Sequence, residues 1–197
     1  MTADVEYWLG FLLTDGCVYA PKGRTPRIEL RLAACDFEHI EKFRVFFQST
    51  HTITFHRKQN ACSVVIPSAH LADRLATFGV VPRKTYIQQS VPECLRTSSD
   101  FWRGVIDGDG CIHTTGRRGV SLVSANMFLL DDFVAYVRTI ESNNCYGQAF
   151  KAEKHGKTAA IVCVQDVLRS SQTLQQLYKS GVSLNRKYLK AKELIDD

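Results

Sequence analysis

The stretch Tyr7-Trp8-Leu9-Gly10-Phe11-Leu12-Leu13-Thr14-Asp15-Gly16-Cys17-Val18 returns 94 residues later as Phe101-Trp102-Arg103-Gly104-Val105-Ile106-Asp107-Gly108-Asp109-Gly110-Cys111-Ile112. Both copies read aromatic-Trp-x-Gly-apolar-apolar-x-small-Asp-Gly-Cys-β-branched. A second pair follows in the same order. Gly79-Val80-Val81-Pro82-Arg83-Lys84-Thr85-Tyr86 is matched by Gly181-Val182-Ser183-Leu184-Asn185-Arg186-Lys187-Tyr188, with Lys84 and Lys187 103 positions apart. Two motifs repeated in order indicate a duplicated unit of about 95 residues. The 197 residues then divide into halves at 1–87 and 99–197. The Pro- and Ser/Thr-bearing stretch 88–98 reads as the linker.

Hydropathy and punctuation give each half the same order of elements. Residues 3–14 form an expected helix, stopped by Asp15-Gly16. Strict alternation over 26–33 predicts a strand with Ile28, Leu30 and Leu32 on one face and Arg27, Glu29 and Arg31 on the other. A helix over 36–48 starts at a capping Asp36. A hairpin of 51–57 and 62–67 turns at Lys58-Gln59-Asn60, and a helix over 68–78 ends at Gly79. The second half gives a helix at 99–108 and strands near 111–115 and 119–124, joined by Gly116-Arg117-Arg118-Gly119. A helix at 126–141, a hairpin within 146–165 and helices at 166–179 and 185–195 complete it. Each half is therefore an αββαββα unit, and the class is α+β.

Composition narrows the function less than the repeat does. Hydrophobic residues make up 45% and charged residues 23%, as in globular chains. No apolar run reaches the length of a membrane span. The acidic start Met-Thr-Ala-Asp-Val-Glu lacks a secretory pattern. The seven cysteines, at 17, 35, 62, 94, 111, 145 and 163, are odd in number and widely spaced. They are expected to be reduced, buried hydrophobes, which fits the cytoplasm or an organellar matrix. Net charge is +3 over residues 1–98 and +2 over the remainder, a balance that permits a polyanionic partner.

The two Asp-Gly motifs carry the chemistry. Gly10 and Thr14, like Gly104 and Gly108, are four residues apart and share a helix face. Such stripes allow a helix to pack closely on its own sheet, or the two copies to pack on each other about a pseudo-twofold axis. Asp15 and Asp109 end their helices at the negative pole, where an anion is disfavoured. An acid before Gly is ordinary turn chemistry taken singly. Two matched acids at the feet of paired helices would repel unless a cation lay between them. Carboxylates with the backbone carbonyls of Thr14 and Gly108 suit Mg2+, and two divalent sites flanking a phosphodiester can stabilise attacking and leaving oxygens. Lys84 and Lys187 are either solvated helix-end lysines or cations for the same centre, able to assist water deprotonation or steady phosphorane charge. Asp107, matched by Leu13, reads as structural or peripheral.

These residues resemble the LAGLIDADG homing endonuclease family. Trp8–Gly16 and Trp102–Gly110 match its nine-residue signature, the first departing at Leu13. The resemblance implies a single-chain, monomeric pseudo-dimer whose motif helices form the interface through Gly10, Thr14, Gly104 and Gly108. Two antiparallel sheets would saddle double-stranded DNA at a long specific site. It implies that Asp15 and Asp109 hold Mg2+, with Mn2+ substituting and Ca2+ supporting binding without cleavage. Lys84 and Lys187 would stand near the scissile phosphates. Cleavage of both strands across the minor groove would leave short 3′ overhangs, in an intron-encoded or free-standing enzyme. The outward positions Arg24, Arg27, Glu29, Arg31, Thr52, Thr54 and His56 become candidates for the major groove. So do His113, Thr115, Arg117, Arg118, Gln148, Lys151 and Lys154. Arg57, Lys58, Lys154 and Lys157 in the hairpin turns suit phosphate. The alternative of another class is a non-cleaving relative, an RNA intron maturase or a DNA-binding regulator, with intron RNA as partner.

Overall fold

The computed structural model describes residues 1–116, 118–140, 150–154, 157–164 and 167–196; for Tyr86 and 150–171 it describes the backbone alone. Helix α1 (Ala3–Thr14) begins where the Thr2 hydroxyl accepts from the Val5 amide, and acidic Asp4 and Glu6 occupy its positive first turn. Its middle, Tyr7 to Leu12, is buried on every side, as a helix at the centre of a molecule must be. Strands β1 (Gly16–Tyr19) and β2 (Arg27–Ala33) precede α2 (Phe37–Phe46). Then come β3 (Thr54–His56), β4 (Ala61–Pro67) and α3 (Ala69–Ala76). The β3–β4 turn is a short 3-10 segment closed by Asn60 in the left-handed region, φ 46°, a conformation that Asn tolerates.

The second half repeats this order. It runs α5 (Ser99–Asp109), β5 (Gly110–His113), β6 (Gly119–Ser124), α6 (Met127–Ile140), β7 (Phe150–Lys154), β8 (Lys157–Val164), α7 (Val167–Leu177) and a further α8 (Asn185–Asp196). The sheets have strand orders β1-β2-β4-β3 and β5-β6-β8-β7, antiparallel throughout. Matching order and pairing in both sheets establish the duplication as structural. Ile28, Leu30, Leu32, Val64 and Ile66 face inward on one sheet, Ile112, Val120 and Leu122 on the other, all in one continuous core.

Four expectations change. The pattern at 16–19 gives no strand by itself, but pairing of Gly16 with Leu30 through Tyr19 with Arg27 makes β1. Asp36 does not cap α2 with its side chain; the two oxygens of its buried carboxylate share the N–H of Arg186 Nε, a partner 150 residues away, each at 3.1 Å. The 88–98 segment contains a one-turn helix, α4 (Glu93–Arg96), and is anchored to the second half. Gln88 Nε2 donates to the Ala125 carbonyl at 2.8 Å and the Val91 amide to Asp132 at 2.7 Å. The cysteines are the fourth correction: Cys17, Cys35, Cys94 and Cys111 are exposed, and of those described only Cys62 is buried. Cys17 and Cys111 fall on the outward beat of β1 and β5, so alternation overrides their hydrophobicity. Cys145 and the Cys163 side chain lie outside the described residues. No helix among the described residues is long and apolar enough to cross a membrane.

Candidate nuclease centre and nucleic-acid face

Helices α1 and α5 pack against each other along their glycines. A Cβ on Gly10 would overlap the Phe101 carbonyl oxygen, and one on Gly104 would overlap the Tyr7 carbonyl oxygen. Phe101 and Tyr7 are themselves matched residues, so the two contacts are related by the pseudo-twofold axis. One turn further, a Cβ on Gly108 would meet the Thr14 side chain. The expected interface residues therefore come together, with Thr14 occupying the space that Gly108 leaves.

This packing brings Asp15 and Asp109 to the feet of the two helices. Both side chains keep surface open to water, yet the crowded helix ends partly desolvate them. Asp109 is pushed up to about 6, first by desolvation and then by the Asp15 charge, with Lys187 and Lys84 opposing. Asp15 is raised by desolvation, again against the pull of the two lysines. Two carboxylates that each resist ionisation, facing solvent on one side, suit a cation. Among the described residues no group of three or more His, Cys, Asp or Glu side chains could hold a metal. A divalent ion would rest on these two acids and on backbone oxygen.

The two lysines reach the same place differently. Lys84, in the 3-10 turn Lys84–Tyr86, donates to the Gly16 carbonyl. It is half-buried and lowered by burial. It lines an open cavity of about 330 Å³ together with Thr14, Asp109 and Asn126. Lys187 is buried under the end of α5 and lowered to about 8, chiefly by that burial. The Gly108 carbonyl, one of the two expected backbone ligands of the metal, accepts from Lys187 Nζ at 3.0 Å.

Asp107 has the structural role expected of it. It is fully buried and accepts from Tyr7 of the other half at 2.8 Å, from Tyr178 at 2.6 Å and from the Leu184 amide at 2.7 Å. Burial raises its carboxyl and these bonds oppose the rise. Arg103, which sequence patterning did not single out, is also buried. It donates to the Val182 and Leu177 carbonyls at 2.8 Å and to Asp100 at 2.6 Å. A charged residue inside an apolar helix is its only sequence signal.

The outer face of the first sheet carries Arg27 and Arg31, exposed, with Glu29 half-buried between them. Register places Thr54 beside Ser63, which in turn lies beside Arg31, and His56 beside Ala61, which lies beside Ala33, on that same face. Arg31 is held by Gln59 Oε1 at 2.7 Å, and His56 Nε2 lies 2.9 Å from Ser63 Oγ. Arg24, Thr52, Arg57 and Lys58 are exposed, but Thr52 precedes β3 and lies in irregular backbone. In the second half His113 and Thr115 are exposed, and Arg118 donates to the Thr114 carbonyl at 3.2 Å. Arg117, Gln148 and the side chains of Lys151, Lys154 and Lys157 lie outside the described residues. On this face sequence patterning did not single out Tyr19 and Gln59. Tyr19 is 51% exposed on the outer face with the Arg27 guanidinium 4.6 Å from its ring centre, and Gln59 orients Arg31. Tyr19 follows from reading Val18-Tyr19 as a continuing alternation; the Gln59 contact has no local signal.

No family model matches the chain, and no curated protein does. Solved structures do. Mesophilic variants of the homing endonuclease I-DmoI align with a TM-score of 0.66 at 13% identity, covering 95% of this chain and 97% of theirs. The I-LtrWI LAGLIDADG homing endonuclease bound to target DNA aligns at 0.61 and 11%, covering 99% and 91%. I-SmaMI bound to uncleaved DNA target with calcium ions aligns at 0.61 and 12%, covering 100% and 92%. The chain has the LAGLIDADG endonuclease fold over essentially its full length.

Proposed function

We propose that this chain is a monomeric, site-specific DNA endonuclease that cuts both strands of a long target across the minor groove and leaves short 3′ overhangs. The observation that carries the reading is the pair Asp15 and Asp109, delivered by reciprocal glycine contacts to one solvent-facing spot beside two lysines. The outward arginines of the first sheet support a DNA track beneath them. Arg is suited to bidentate recognition of guanine, and Gln59 holds Arg31 in one orientation.

The acids would hold Mg2+ or Mn2+. The donor set fits, because each carboxylate is an oxygen ligand whose ionised form is disfavoured by desolvation, and at Asp109 also by the Asp15 charge. A bound divalent ion would supply charge stabilisation at the attacking and leaving oxygens. The remaining work belongs to the chain. The sheets would fix the duplex, Asp15 and Asp109 would hold the ion, and Lys84 offers an ammonium on the lining of the same cavity. Ca2+ is expected to support binding without cutting.

Digestion of a randomised duplex library with Mg2+, sequencing the cut ends, tests this directly. A single long site cut by the wild type, and left whole by Asp15→Asn and Asp109→Asn that still bind it in Ca2+, is the expected result. Salt-sensitive DNA binding without cutting at adequate library coverage would overturn the endonuclease in favour of a non-cleaving binder.

A further inference from the structure

Lys187 Nζ lies 2.7 Å from the carbonyl oxygens of Ile106, Asp107 and Gly110, and 3.0 Å from that of Gly108. An ammonium has three N–H groups, so four acceptors occupy all of them. Three of these oxygens belong to the last residues of α5, where carbonyls lack helical partners and the helix carries its negative pole. The residue is 5% exposed. To reach a phosphate outside, Lys187 would have to leave this end of α5 uncapped directly beneath Asp109.

Lys84 is differently placed. Gly16, the counterpart of Gly110, accepts its bond. Among the described residues no bond joins it to the carbonyls of Leu12, Leu13 or Thr14, which match Ile106, Asp107 and Gly108. Lys84 lines the cavity that Asp109 and Thr14 also line.

The difference has a cause in sequence. Asp107 and Arg103 bind the loop that precedes α8, through the Leu184 amide and the Val182 carbonyl, and so draw Lys187 down onto α5. The matched residues of the first half are Leu13 and Leu9, which offer the Gly79–Lys84 loop no polar anchor. Beyond Lys84 the chain is instead drawn toward α6, with Asn126 Nδ2 donating to the Gln89 carbonyl at 2.8 Å. That leaves Lys84 on the cavity lining, half-buried.

We infer, resting on the endonuclease reading, that Lys187 is a positioning residue closing the end of α5 while Lys84 is the cation that meets phosphate, so the two DNA strands are cut at unequal rates. The asymmetry lies in the protein, and exchanging the orientation of the flanking DNA outside the site leaves it unchanged.

Two measurements test this. The first is amine acylation read by mass spectrometry, on free protein and on the Ca2+ complex with the selected duplex. Lys84 is expected to label when free and to be protected by DNA, while Lys187 stays unlabelled in both states. Labelling of Lys187 in the free protein with protection by DNA would overturn the assignment. The second is single-turnover cleavage of the duplex with each strand labelled separately. The wild type is expected to cut one strand about tenfold faster than the other. Lys84→Met should slow the faster strand roughly 100-fold while weakening Ca2+-supported binding far less. Lys187→Met should lower the melting temperature and, well below it, raise the Mg2+ concentration for half-maximal rate while keeping the strand preference. Equal strand rates in the wild type would overturn the inference and leave the endonuclease standing. A wild type that cuts neither strand would overturn the endonuclease itself, and the acylation pattern of the free protein still decides whether Lys187 is the cap.

Discussion

Trp8 and Trp102 hold matched places in the two motif helices, yet their surroundings have parted. Trp102 Nε1 donates to the Arg96 carbonyl of α4 at 2.7 Å. Trp8 Nε1 is equally buried and has no hydrogen-bond partner among the described residues. Ser99 of the second half accepts from Tyr136 at 3.0 Å and from Gln176 at 3.1 Å. Its counterpart Val5 lines an open apolar groove of about 250 Å³ with Trp8, Phe46, Leu71 and Phe78. At the axis the halves remain alike: Gly10 and Gly104 make reciprocal contacts, and Asp15 and Asp109 end their helices side by side. Whatever touches both halves must suit both, because a change there is felt across the axis. Residues away from it answer only to their own half, and there polar networks have replaced apolar packing, or the reverse.

The greatest expected effect comes from making the second half resemble the first at its least symmetric point. Asp107→Leu leaves the Tyr178 hydroxyl and the Leu184 amide without their acceptor inside the core, while the Tyr7 hydroxyl loses one bond and keeps His39 Nε2 at 2.9 Å. Each orphaned group costs roughly 1–3 kcal/mol, partly offset by no longer burying a carboxylate, so a net loss of about 3 kcal/mol is expected. That corresponds to a melting point lower by about 6–12 °C for a chain of this size. The reciprocal Leu13→Asp should gain nothing, since no matching donors surround it. A calorimetric scan of Asp107→Leu that overlays the wild type would mean the carboxylate does not join the halves.

Next in size are the axis glycines. Gly10→Ala and Gly104→Ala each drive a methyl group into the facing helix backbone, which cannot swing away. Each should cost about 2 kcal/mol. The two losses should be similar to one another, because the contacts are symmetric. Gly108→Ala meets the Thr14 side chain instead, which can rotate, and should cost less. A large difference between Gly10→Ala and Gly104→Ala would break the pseudo-twofold account of the interface.

How much of this was readable beforehand depends on the range of the interaction. The duplication, the two motif helices, the β2 alternation of Ile28, Leu30 and Leu32, and the pair Asp15 and Asp109 are all written in local pattern. β1 was not, because four residues become a strand only by pairing with Arg27–Leu30. Asp36 looked like a cap because Arg186, its actual partner, stands 150 residues away. The saturation of Lys187 was equally hidden. Gly-Val before a basic pair marks both lysines alike, and only the tertiary fold shows that one is engaged by four carbonyls.

The two tryptophans give a smaller and sharper contrast. Trp102→Phe and Trp8→Phe remove similar volume from similar aromatic clusters. The first also loses the bond to Arg96, whereas the second removes a buried N–H that had no partner. Trp8→Phe should therefore be the milder by about 1–2 kcal/mol in chemical denaturation. Equal losses would indicate that Trp8 Nε1 is satisfied in solution.

The smallest expected change in stability is at Asp109, and it turns on the sign of a proton linkage. Its folded value of about 6 lies above the ordinary carboxylate value of 3.8. Between those values the folded state binds more protons than the unfolded one, so this group's contribution falls as pH rises, and the penalty is complete above about pH 6. Asp109→Asn, which removes the charge, should raise the melting point slightly at pH 7.5 without divalent ions and leave it unchanged near pH 3.5. Because the side chain is partly open to water, the gain should be no more than a few degrees. Added Mg2+ should then raise the melting point of the wild type, since an ion bound only by the folded state stabilises it, and should raise that of Asp109→Asn less. Asp15→Asn should behave in the same direction, because its carboxyl is raised by the same desolvation. Identical Mg2+ responses in all three proteins would show that the two acids do not share a cation, and the symmetry of the helix feet would then be a matter of packing alone.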